Sequence, residues 1–208
     1  LKNIILFIFG RKLIGNMFFA LVILKKTFIF SGKEPKKLIM LFGLGRSGTT
    51  WISNQIIDNF NGQDLGEVLQ FPSKNPLKFI NLSIDVSKRN LNLIKVLTYQ
   101  IKLNNISNES FVKWVNQNVS LLIIVDRNEL NQVSSVIYSK KVKLWHKTKK
   151  NKKFRHISVY KNEFKDQLRK SREQKKILSE IKREIKIPIM DIDYEDFDSS
   201  RVSHDISK

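Results

Sequence analysis

The sequence predicts an α/β fold, with a mainly parallel sheet flanked by helices in three layers. Two short, nearly continuous apolar runs, residues 38–42 and 120–125, have the composition of strands buried on both faces of a sheet. Each run precedes a segment whose apolar residues recur every three or four positions, Thr49–Phe60 after the first and residues 129–139 after the second. Because strands that alternate with helices pair in parallel, these segments predict two βα units of one sheet.

The rest of the chain extends this pattern less regularly. Residues 61–76 contain an Asn-Gly pair and two prolines, so we expect mostly loop there, with a short strand near Leu65. Pro188 is expected to end a long helix, because proline cannot continue one. The other predicted elements are a strand at 95–103, a helix at Asn108–Asn118, that long helix at 157–185, and a strand at 187–192.

Residues 1–35 are largely apolar and precede the predicted domain. The run 13–24 is shorter than the roughly 20 residues that a membrane-spanning helix needs, and Arg11 and Lys12 interrupt the longer apolar stretch. We therefore expect an amphipathic or interfacial helix, or one docked on the domain, with a membrane anchor as the alternative. A Ser-Gly-Lys-Glu-Pro sequence closes this segment, and the nucleotide-binding domain is predicted at 36–208.

The chain is strongly basic: 38 Lys and Arg residues stand against 19 Asp and Glu residues, a formal net charge of +19. Residues 140–186 alone hold 19 basic and five acidic side chains. Such a field favours anionic partners, among them nucleotides, nucleic acids, anionic lipids and acidic glycans. The dense stretch is either a solvated helix face or a surface that attracts anions. Because its basic residues lack interleaved aromatic side chains, nucleic acid is not the expected partner.

The residue types present exclude several kinds of chemistry. The chain has no cysteine, which rules out disulfides, thiolate catalysis and cysteine-based metal sites. Its three histidines, His146, His156 and His204, show no metal-ligand spacing, so no metal site is predicted. We expect a cytoplasmic protein, with membrane association as the alternative.

A glycine-rich turn joins the first predicted strand to the first helix. Residues 43–51 read Gly-Leu-Gly-Arg-Ser-Gly-Thr-Thr-Trp. The glycines allow a tight path, and the backbone N–H groups at a helix N-terminus attract an anion. Arg46 adds a full positive charge, and Ser47 adds a hydroxyl donor. This combination predicts a phosphate-binding loop at the carboxyl edge of the sheet.

The loop departs from the Walker A pattern of nucleoside-triphosphate enzymes, Gly-x-x-x-x-Gly-Lys-Ser/Thr. Gly43 and Gly48 have the right spacing, but Thr49 stands where that pattern has lysine. The cation is instead Arg46, inside the loop. A phosphosulfate carries less charge than a triphosphate and needs no magnesium bridge, so it suits this loop better.

The string from Phe42 to Trp51 resembles the 5′-phosphosulfate loop of sulfotransferases that use 3′-phosphoadenosine 5′-phosphosulfate, PAPS. The resemblance implies a P-loop-like fold and transfer of a sulfuryl group from PAPS to an acceptor hydroxyl, without a metal. It implies that Arg46 lies near the transferred group and that Trp51 packs beside the nucleotide, although a place in the core is the alternative for Trp51. The loop residues implied to bind the donor are Arg46, Ser47, Gly48, Thr49, Thr50 and Trp51.

A second segment resembles the 3′-phosphate site of that family, in which an arginine at a strand end precedes a serine by eight residues. Here the apolar run 121–125 leads to Arg127, and Ser135 follows eight residues later, with Ser134 as the less favoured neighbour. The resemblance implies that Arg127 and Ser135 bind the 3′-phosphate. The family often has Asp-Pro after this arginine, where Asn-Glu stands here.

Further resemblances are softer. Residues 189–197 resemble the late strand and Tyr-Glu-Asp-Leu segment of several bacterial sulfotransferases, and residues 95–103 resemble the strand before the 3′-phosphate helix. The likeness covers roughly residues 37–197, whereas the family continues further. This difference implies a truncated or weakly active member of the family, with a compact variant or an inactive relative as the alternatives.

The acceptor side of the implied reaction rests on one acidic residue. A general base would take the proton of the acceptor hydroxyl, and Glu67 is the candidate because several bacterial sulfotransferases place Gly-Glu shortly after the first helix. A solvent-exposed loop glutamate is the alternative, and His146 is the reserve base. We expect the acceptor to be a glycan or another small hydroxyl compound, and we consider peripheral membrane contact through residues 1–35.

Two other functions stay open on the sequence alone. One is a phosphotransferase with an altered P-loop, which would need magnesium and would prefer ATP. The other is a basic protein without enzymatic activity that binds nucleic acid or an anionic membrane through its lysines.

Overall fold

The computed structural model describes residues 37–60, 62–85, 89, 91–143 and 156–197. The predicted N-terminal segment and the reserve base His146 lie outside these residues. In chain order the elements are β1 Lys37–Gly43, α1 Thr49–Phe60, β2 Gln63–Asp64, α2 Pro76–Asp85, β3 Leu91–Leu97, α3 Thr98–Leu103, α4 Asn108–Asn118, β4 Leu121–Asp126, α5 Glu129–Val142, α6 Lys161–Glu184 and β5 Ile189–Asp193.

Within the described residues, five strands form one sheet in the order β2-β3-β1-β4-β5, and every neighbouring pair is parallel. The central strand β1 ends level with both of its neighbours, because Gly43 is in register with Leu97 of β3 and with Val125 of β4. The chain segments that follow these three strands therefore begin at the same edge of the sheet.

Helices cover both faces of the sheet and complete three layers. On one face α1 buries Ile52 and Ile56 against alternate strand residues. On the other face Phe42 of β1 meets Phe111 of α4 with ring centroids 5.5 Å apart, and Ile181 of α6 joins the same cluster. Strands covered on both sides need apolar residues at nearly every position. The predicted α/β fold of P-loop type, with a parallel sheet between helices, is confirmed.

The prediction of a strand at 95–103 is wrong in its second half. The strand ends at Leu97, and Thr98 begins the short helix α3. The side-chain oxygen of Gln100, a residue with no exposed surface, accepts the backbone N–H of Leu97 at 2.9 Å. Because this bond caps the new helix, the alternating polar and apolar residues after Leu97 wind into a helical turn instead of extending the strand.

Other boundaries differ from the sequence-based expectation by smaller amounts. Helix α2 was not predicted, although its first residue is a proline, a residue favoured at the first helical position. Helix α6 begins at Lys161, four residues later than expected. The short strand expected near Leu65 is present as β2, and the Leu65 N–H continues the pairing to Leu93 at 2.8 Å. Among the described residues, no helix is long and apolar enough to cross a membrane.

Two polar residues interrupt the apolar stripe of α6, and both make defined contacts at the carboxyl edge of the sheet. The Ser171 hydroxyl, 1% exposed, donates to Gln132 Oε1 of α5 at 2.9 Å. Gln174 Oε1 accepts from the Thr98 hydroxyl at 3.1 Å. These interruptions therefore connect the long helix to residues that follow β3 and β4.

A buried ion pair joins β3 to β2 and α1. The Lys95 side chain, 9% exposed, donates to Asp64 Oδ2 at 2.9 Å and to Ser53 Oγ at 3.3 Å. The other oxygen of Asp64 accepts the Gly66 N–H at 2.7 Å. Asp64 thus neutralises a buried lysine on a largely apolar strand and also shapes the turn after β2.

Replacing Asp64 by alanine is expected to lower the free energy of unfolding by about 2–3 kcal/mol, because it leaves the buried Lys95 ammonium without its counter-charge. The double variant Asp64→Ala/Lys95→Met should recover part of this loss, since the unpaired charge is gone. Urea denaturation measures both values. Asp58→Ala, on the exposed side of α1, is the control and should change stability by less than about 0.5 kcal/mol; an equal loss in that control would contradict the assignment.

Candidate functional site

The loop between β1 and α1 turns in close contact with the end of β4. A Cβ atom added at Gly43 would lie 2.7 Å from the carbonyl oxygen of Val125 and 2.9 Å from Ser47 Oγ, so only glycine fits there. Ser47 is 1% exposed, and its hydroxyl donates to the Leu44 carbonyl at 2.8 Å. The Ser47 hydroxyl therefore shapes the loop from within, which differs from its expected role as a donor to the ligand.

The end of the loop presents the start of a helix. Gly48 has φ +94°, in the left-handed region, and its carbonyl accepts the N–H groups of Trp51 and Ile52. The preceding N–H groups of α1, at Thr49 and Thr50, have no intrahelical acceptor. Helix N–H groups of this kind carry partial positive charge and bind anions. Thr49 is 5% exposed, whereas Thr50 is partly accessible.

Side chains of the β4–α5 unit hold the carbonyls of the loop. Gln132 Nε2 donates to the Gly45 carbonyl at 2.6 Å, and Arg127 Nη1 donates to the Arg46 carbonyl at 3.1 Å. Ser171 fixes the other end of the Gln132 amide. Because the C=O and N–H of one trans peptide point in opposite directions, the bond to Gly45 directs the N–H of Arg46 away from α5. The loop conformation thus depends on its neighbours in the sheet.

The structure brings together the arginines that the sequence places in two separate motifs. Arg46 has φ +70° and its Nε donates to Ser135 Oγ at 3.1 Å. Burial lowers the pKa of Arg46 below its usual range, and the nearby charge of Arg127 lowers the pKa further, while Tyr194 opposes the shift. Ser135 lies on the face of α5 toward the loop, whereas Ser134 is exposed. Arg46, Arg127 and Ser135 therefore lie in one cleft at the strand ends.

Arg127 has two further neighbours in the turn that follows β5. Its Nε donates to Glu195 Oε1 at 3.2 Å, and its guanidinium carbon lies 4.6 Å from the centroid of the Tyr194 ring. Desolvation alone would raise the pKa of Glu195, but hydrogen bonds from the Asn128 N–H, the Asn131 amide and Arg127 lower the pKa of Glu195 to about 2. Glu195 is therefore ionised at neutral pH and opposes the charge of Arg127.

Tyr194 also covers the start of α1. A Cβ atom at Gly48 would lie 2.0 Å from the Tyr194 ring, so the ring rests directly on that glycine. Trp51 is 46% exposed and meets Tyr194 and Phe197 edge-on, with ring centroids 5.8 and 4.8 Å away. Trp51 is therefore a surface aromatic next to the loop, and its alternative place in the core is wrong.

Glu67 lies at the same edge of the sheet, to one side of the loop. Its Oε2 accepts from Gln100 Nε2 at 3.0 Å, and Gln100 is itself tied to the end of β3. Glu67 follows β2, which is separated from β1 by β3 alone. With neighbouring strands about 4.8 Å apart, this places the segment about 10 Å from the strand that leads into the loop.

Several residues that shape this cleft have no clear signal in the sequence. Gln132 and Gln100 are buried polar side chains on helices that also bury apolar residues. A glutamine inside an apolar face was the available signal, since buried amides are kept only where they are hydrogen-bonded. Tyr194 and Glu195 belong to residues 189–197, which resemble a sulfotransferase segment, but that resemblance does not predict a contact with the loop.

Among the described residues, no group of three or more histidine, aspartate or glutamate side chains is arranged to hold a metal ion. Glu67, Asp64 and Glu195 each have defined protein partners. The positive groups of the cleft include the guanidinium groups of Arg46 and Arg127 and the start of α1.

The sequence matches no protein-family model and no curated protein. Among solved structures, deoxyadenosine kinase from M. mycoides with bound dATP superposes with a TM-score of 0.45 at 13% identity, covering 82% of this chain and 97% of that one. The same kinase with bound dCTP gives a TM-score of 0.41 at 14% identity, covering 82% and 96%. Similarity at this level decides nothing about the substrate of this chain.

Replacing Gly48 by alanine is expected to destabilise the fold more than replacing Gly66 by alanine. Both glycines have positive φ, +94° and +73°, so both alanines are strained by about 1–3 kcal/mol. At Gly66 nothing lies within 4 Å of the added Cβ, whereas at Gly48 the Tyr194 ring must move. The extra cost at Gly48 should be about 1–3 kcal/mol, measured by urea denaturation. Equal losses would show that Tyr194 does not rest on this glycine in solution.

Proposed function

We propose that this chain is a transferase that binds the phosphate groups of a nucleotide at the edge formed by the Gly43–Gly48 loop and the start of α5. The observation that carries the proposal is the convergence of Arg46 and Arg127, from two distant motifs, on one loop that ends at a helix N-terminus. Two guanidinium groups this close repel each other, and an anion between them offsets that repulsion. Positions 43 and 48 need glycine, because a Cβ atom would meet the Val125 carbonyl at position 43 and the Tyr194 ring at position 48.

The proposed donor is PAPS, and the proposed reaction is transfer of its sulfuryl group to a hydroxyl. The choice rests on where the cations are. Position 49 holds a nearly buried threonine in place of the lysine that nucleoside-triphosphate enzymes place on the β- and γ-phosphates. Charge is supplied instead from within the loop by Arg46 and from the side by Arg127, which suits a ligand with two separate anionic groups.

Each residue then has a defined part. Arg46 would stabilise charge on the transferred group and on the leaving oxygen, as cations do in phosphoryl transfer. The N–H groups of Thr49 and Thr50 would hold the 5′-phosphate, and Arg127 would hold the 3′-phosphate. Ser135 would act chiefly by orienting Arg46, since its hydroxyl oxygen accepts from that guanidinium. PAPS is the substrate that supplies the sulfuryl group, and no metal is needed to bind it.

The acceptor is proposed to enter from the side of Glu67. A cavity of about 660 Å³ lies between the start of α2 and the connection from α3 to α4, and Glu67 is not one of the residues that line it. Lys74, Lys78 and Ser107 line it, and no acidic side chain lines it among the residues that the structure describes. A polar or anionic hydroxyl compound, such as an acidic saccharide, fits a lining of this charge. Glu67, held by Gln100, would accept the proton of its hydroxyl.

A phosphotransferase is the second candidate, favoured by the glycine spacing of Gly43 and Gly48 on the central strand of a parallel sheet. The kinases named above belong to that class. Such an enzyme would bind magnesium-ATP in preference to a 3′-phosphorylated nucleotide, even though Thr49 replaces the lysine of the usual loop.

Calorimetric titration of the protein separates the two candidates. We expect adenosine 3′,5′-bisphosphate to bind more tightly than ATP, with no dependence on magnesium. A clear preference for magnesium-ATP would replace sulfuryl transfer by phosphoryl transfer as the proposed function.

Arg127→Ala tests the geometry of the site in the same experiment. It should weaken binding of the bisphosphate far more than binding of adenosine 5′-phosphate, because a hydrogen bond to a charged group contributes about 1.5–3 kcal/mol.

The control for Arg127→Ala is Arg172→Ala, which removes an exposed arginine paired with Glu129 near the same helix start. It lowers the net charge equally but should leave both affinities within about twofold, since exposed ion pairs contribute little. If Arg127→Ala weakened both nucleotides equally, Arg127 would not distinguish the 3′ group.

Glu67→Gln is expected to slow sulfuryl transfer by about a hundredfold or more, the usual contribution of a general base, without weakening the bisphosphate. The amide can still accept from Gln100, so the local structure should persist. Release of adenosine 3′,5′-bisphosphate from PAPS, followed over a panel of phenols and neutral and acidic saccharides, measures the rate. Glu109→Gln, at the first turn of α4, is the control; an unchanged rate in Glu67→Gln would remove Glu67 from the reaction.

A further inference from the structure

The Glu195 carboxylate occupies a group of three hydrogen-bond donors beside the loop. It accepts from Arg127 Nε at 3.2 Å, from the Asn128 backbone N–H at 3.2 Å and from Asn131 Nδ2 at 3.1 Å. Asn128 is the N-cap of α5, so two of these donors belong to the start of that helix. Donors that suit a carboxylate in this way also suit the oxygens of a phosphate or sulfate.

The turn that carries Glu195 touches both halves of the proposed nucleotide site. We call residues 194–197 the post-β5 turn. Its Tyr194 ring rests on Gly48 at the start of α1 and faces Arg127, and its Phe197 packs edge-on against Trp51. A group that entered the site at Arg127 would therefore meet this turn first.

We propose that Glu195 makes an autoinhibitory contact, in which its carboxylate fills the position of an anionic ligand group on Arg127 and must be displaced when that ligand binds. The ligand group, on the proposed function, is the 3′-phosphate of the donor nucleotide. The inference rests on that proposed function for the identity of the anion, but not for the competition itself.

Displacement needs no rearrangement of the fold. The backbone of the turn is held separately, because the Tyr194 N–H donates to the Asp126 carbonyl at 3.0 Å and the Glu195 N–H donates to Asp193 Oδ1 at 3.0 Å. The Glu195 side chain is 34% exposed, so rotation about its own bonds carries the carboxylate into solvent. Two anions cannot share the donors of Arg127 without like-charge repulsion, so the ligand and Glu195 exclude each other.

Removing the charge of Glu195 should therefore raise affinity for the ligand. We expect Glu195→Gln and Glu195→Ala to bind adenosine 3′,5′-bisphosphate about five- to tenfold more tightly than the unaltered chain, a range set by the partial exposure of the ion pair. Adenosine 5′-phosphate, which lacks the competing group, should change by less than about twofold. The control is Asp196→Asn, which removes an exposed negative charge one residue away, has no contact with Arg127 among the described residues, and should also change both affinities by less than about twofold.

The opposite result has a clear meaning. If both Glu195 variants keep their thermal unfolding midpoint and bind the bisphosphate no more tightly than the unaltered chain, Glu195 positions Arg127 for the ligand and the inference is wrong. A gain in Asp196→Asn equal to that in Glu195→Gln would also overturn it, since net charge alone would then explain the effect.

Inorganic sulfate distinguishes failure of this inference from failure of the proposed function. If no form of the protein binds the bisphosphate, the nucleotide assignment fails. Tighter sulfate binding by Glu195→Gln than by the unaltered chain would still support the competition in that case, and equal sulfate binding would overturn it. Glu195→Ala, which offers no amide in place of the carboxylate, repeats the sulfate measurement should Glu195→Gln prove unstable.

Discussion

The close approach of β1 and β4 at Gly43 is the constraint on which the rest of the site depends. The two strands stay paired to the last residue of β1, and a Cβ atom at Gly43 would collide with the Val125 carbonyl. The loop therefore leaves the sheet against the start of α5, within reach of Gln132 and Arg127. Its conformation is held by bonds from a neighbouring βα unit, and only one internal backbone bond, from Ser47 to Leu44, closes it among those described. Substitutions in β4 or α5 should therefore change the conformation of the loop directly.

The cleft holds two positive charges, those of Arg46 and Arg127, close enough to repel each other. Arg46 and Arg127 lie close enough for the pKa of Arg46 to fall, first through burial and then through the charge of Arg127. Glu195 and the face of the Tyr194 ring offset part of this repulsion. Side chains whose pKa values are shifted by burial and by a neighbouring charge are found more often at functional sites than elsewhere. The Glu195 carboxylate contacts Arg127 and offsets part of this repulsion. On the further inference above, the same carboxylate competes with any anion that binds at Arg127.

Much of the fold could be predicted from the sequence, because buried parallel strands and amphipathic helices follow simple periodicities. β1, α1 and α4 have the bounds or nearly the bounds that their apolar patterns indicate. The exceptions have polar causes. Thr98 begins a helix because the Gln100 side chain caps it, and Ser171 interrupts the stripe of α6 because it orients Gln132. A pattern of apolar residues contains no information about such polar partners, whether they lie three residues apart, as Gln100 and Leu97 do, or 39 residues apart, as Ser171 and Gln132 do.

The sequence was enough to predict which edge of the sheet carries the candidate site residues, but not the hydrogen bonds between them. That Arg46 and Arg127 both follow buried strands was enough to place them at one edge, whereas the part of Ser135 in holding Arg46 required the structure. The arrangement also bears on the absent Walker lysine. With a nearly buried threonine at position 49, positive charge lies within the loop and across the end of the next strand, and not along the axis of α1. A linear triphosphate needs a cation beside its terminal phosphates, and magnesium usually assists. On the proposed function, one guanidinium group within the loop and one at the end of β4 would match a nucleotide whose negative charges are divided between two positions on the ribose.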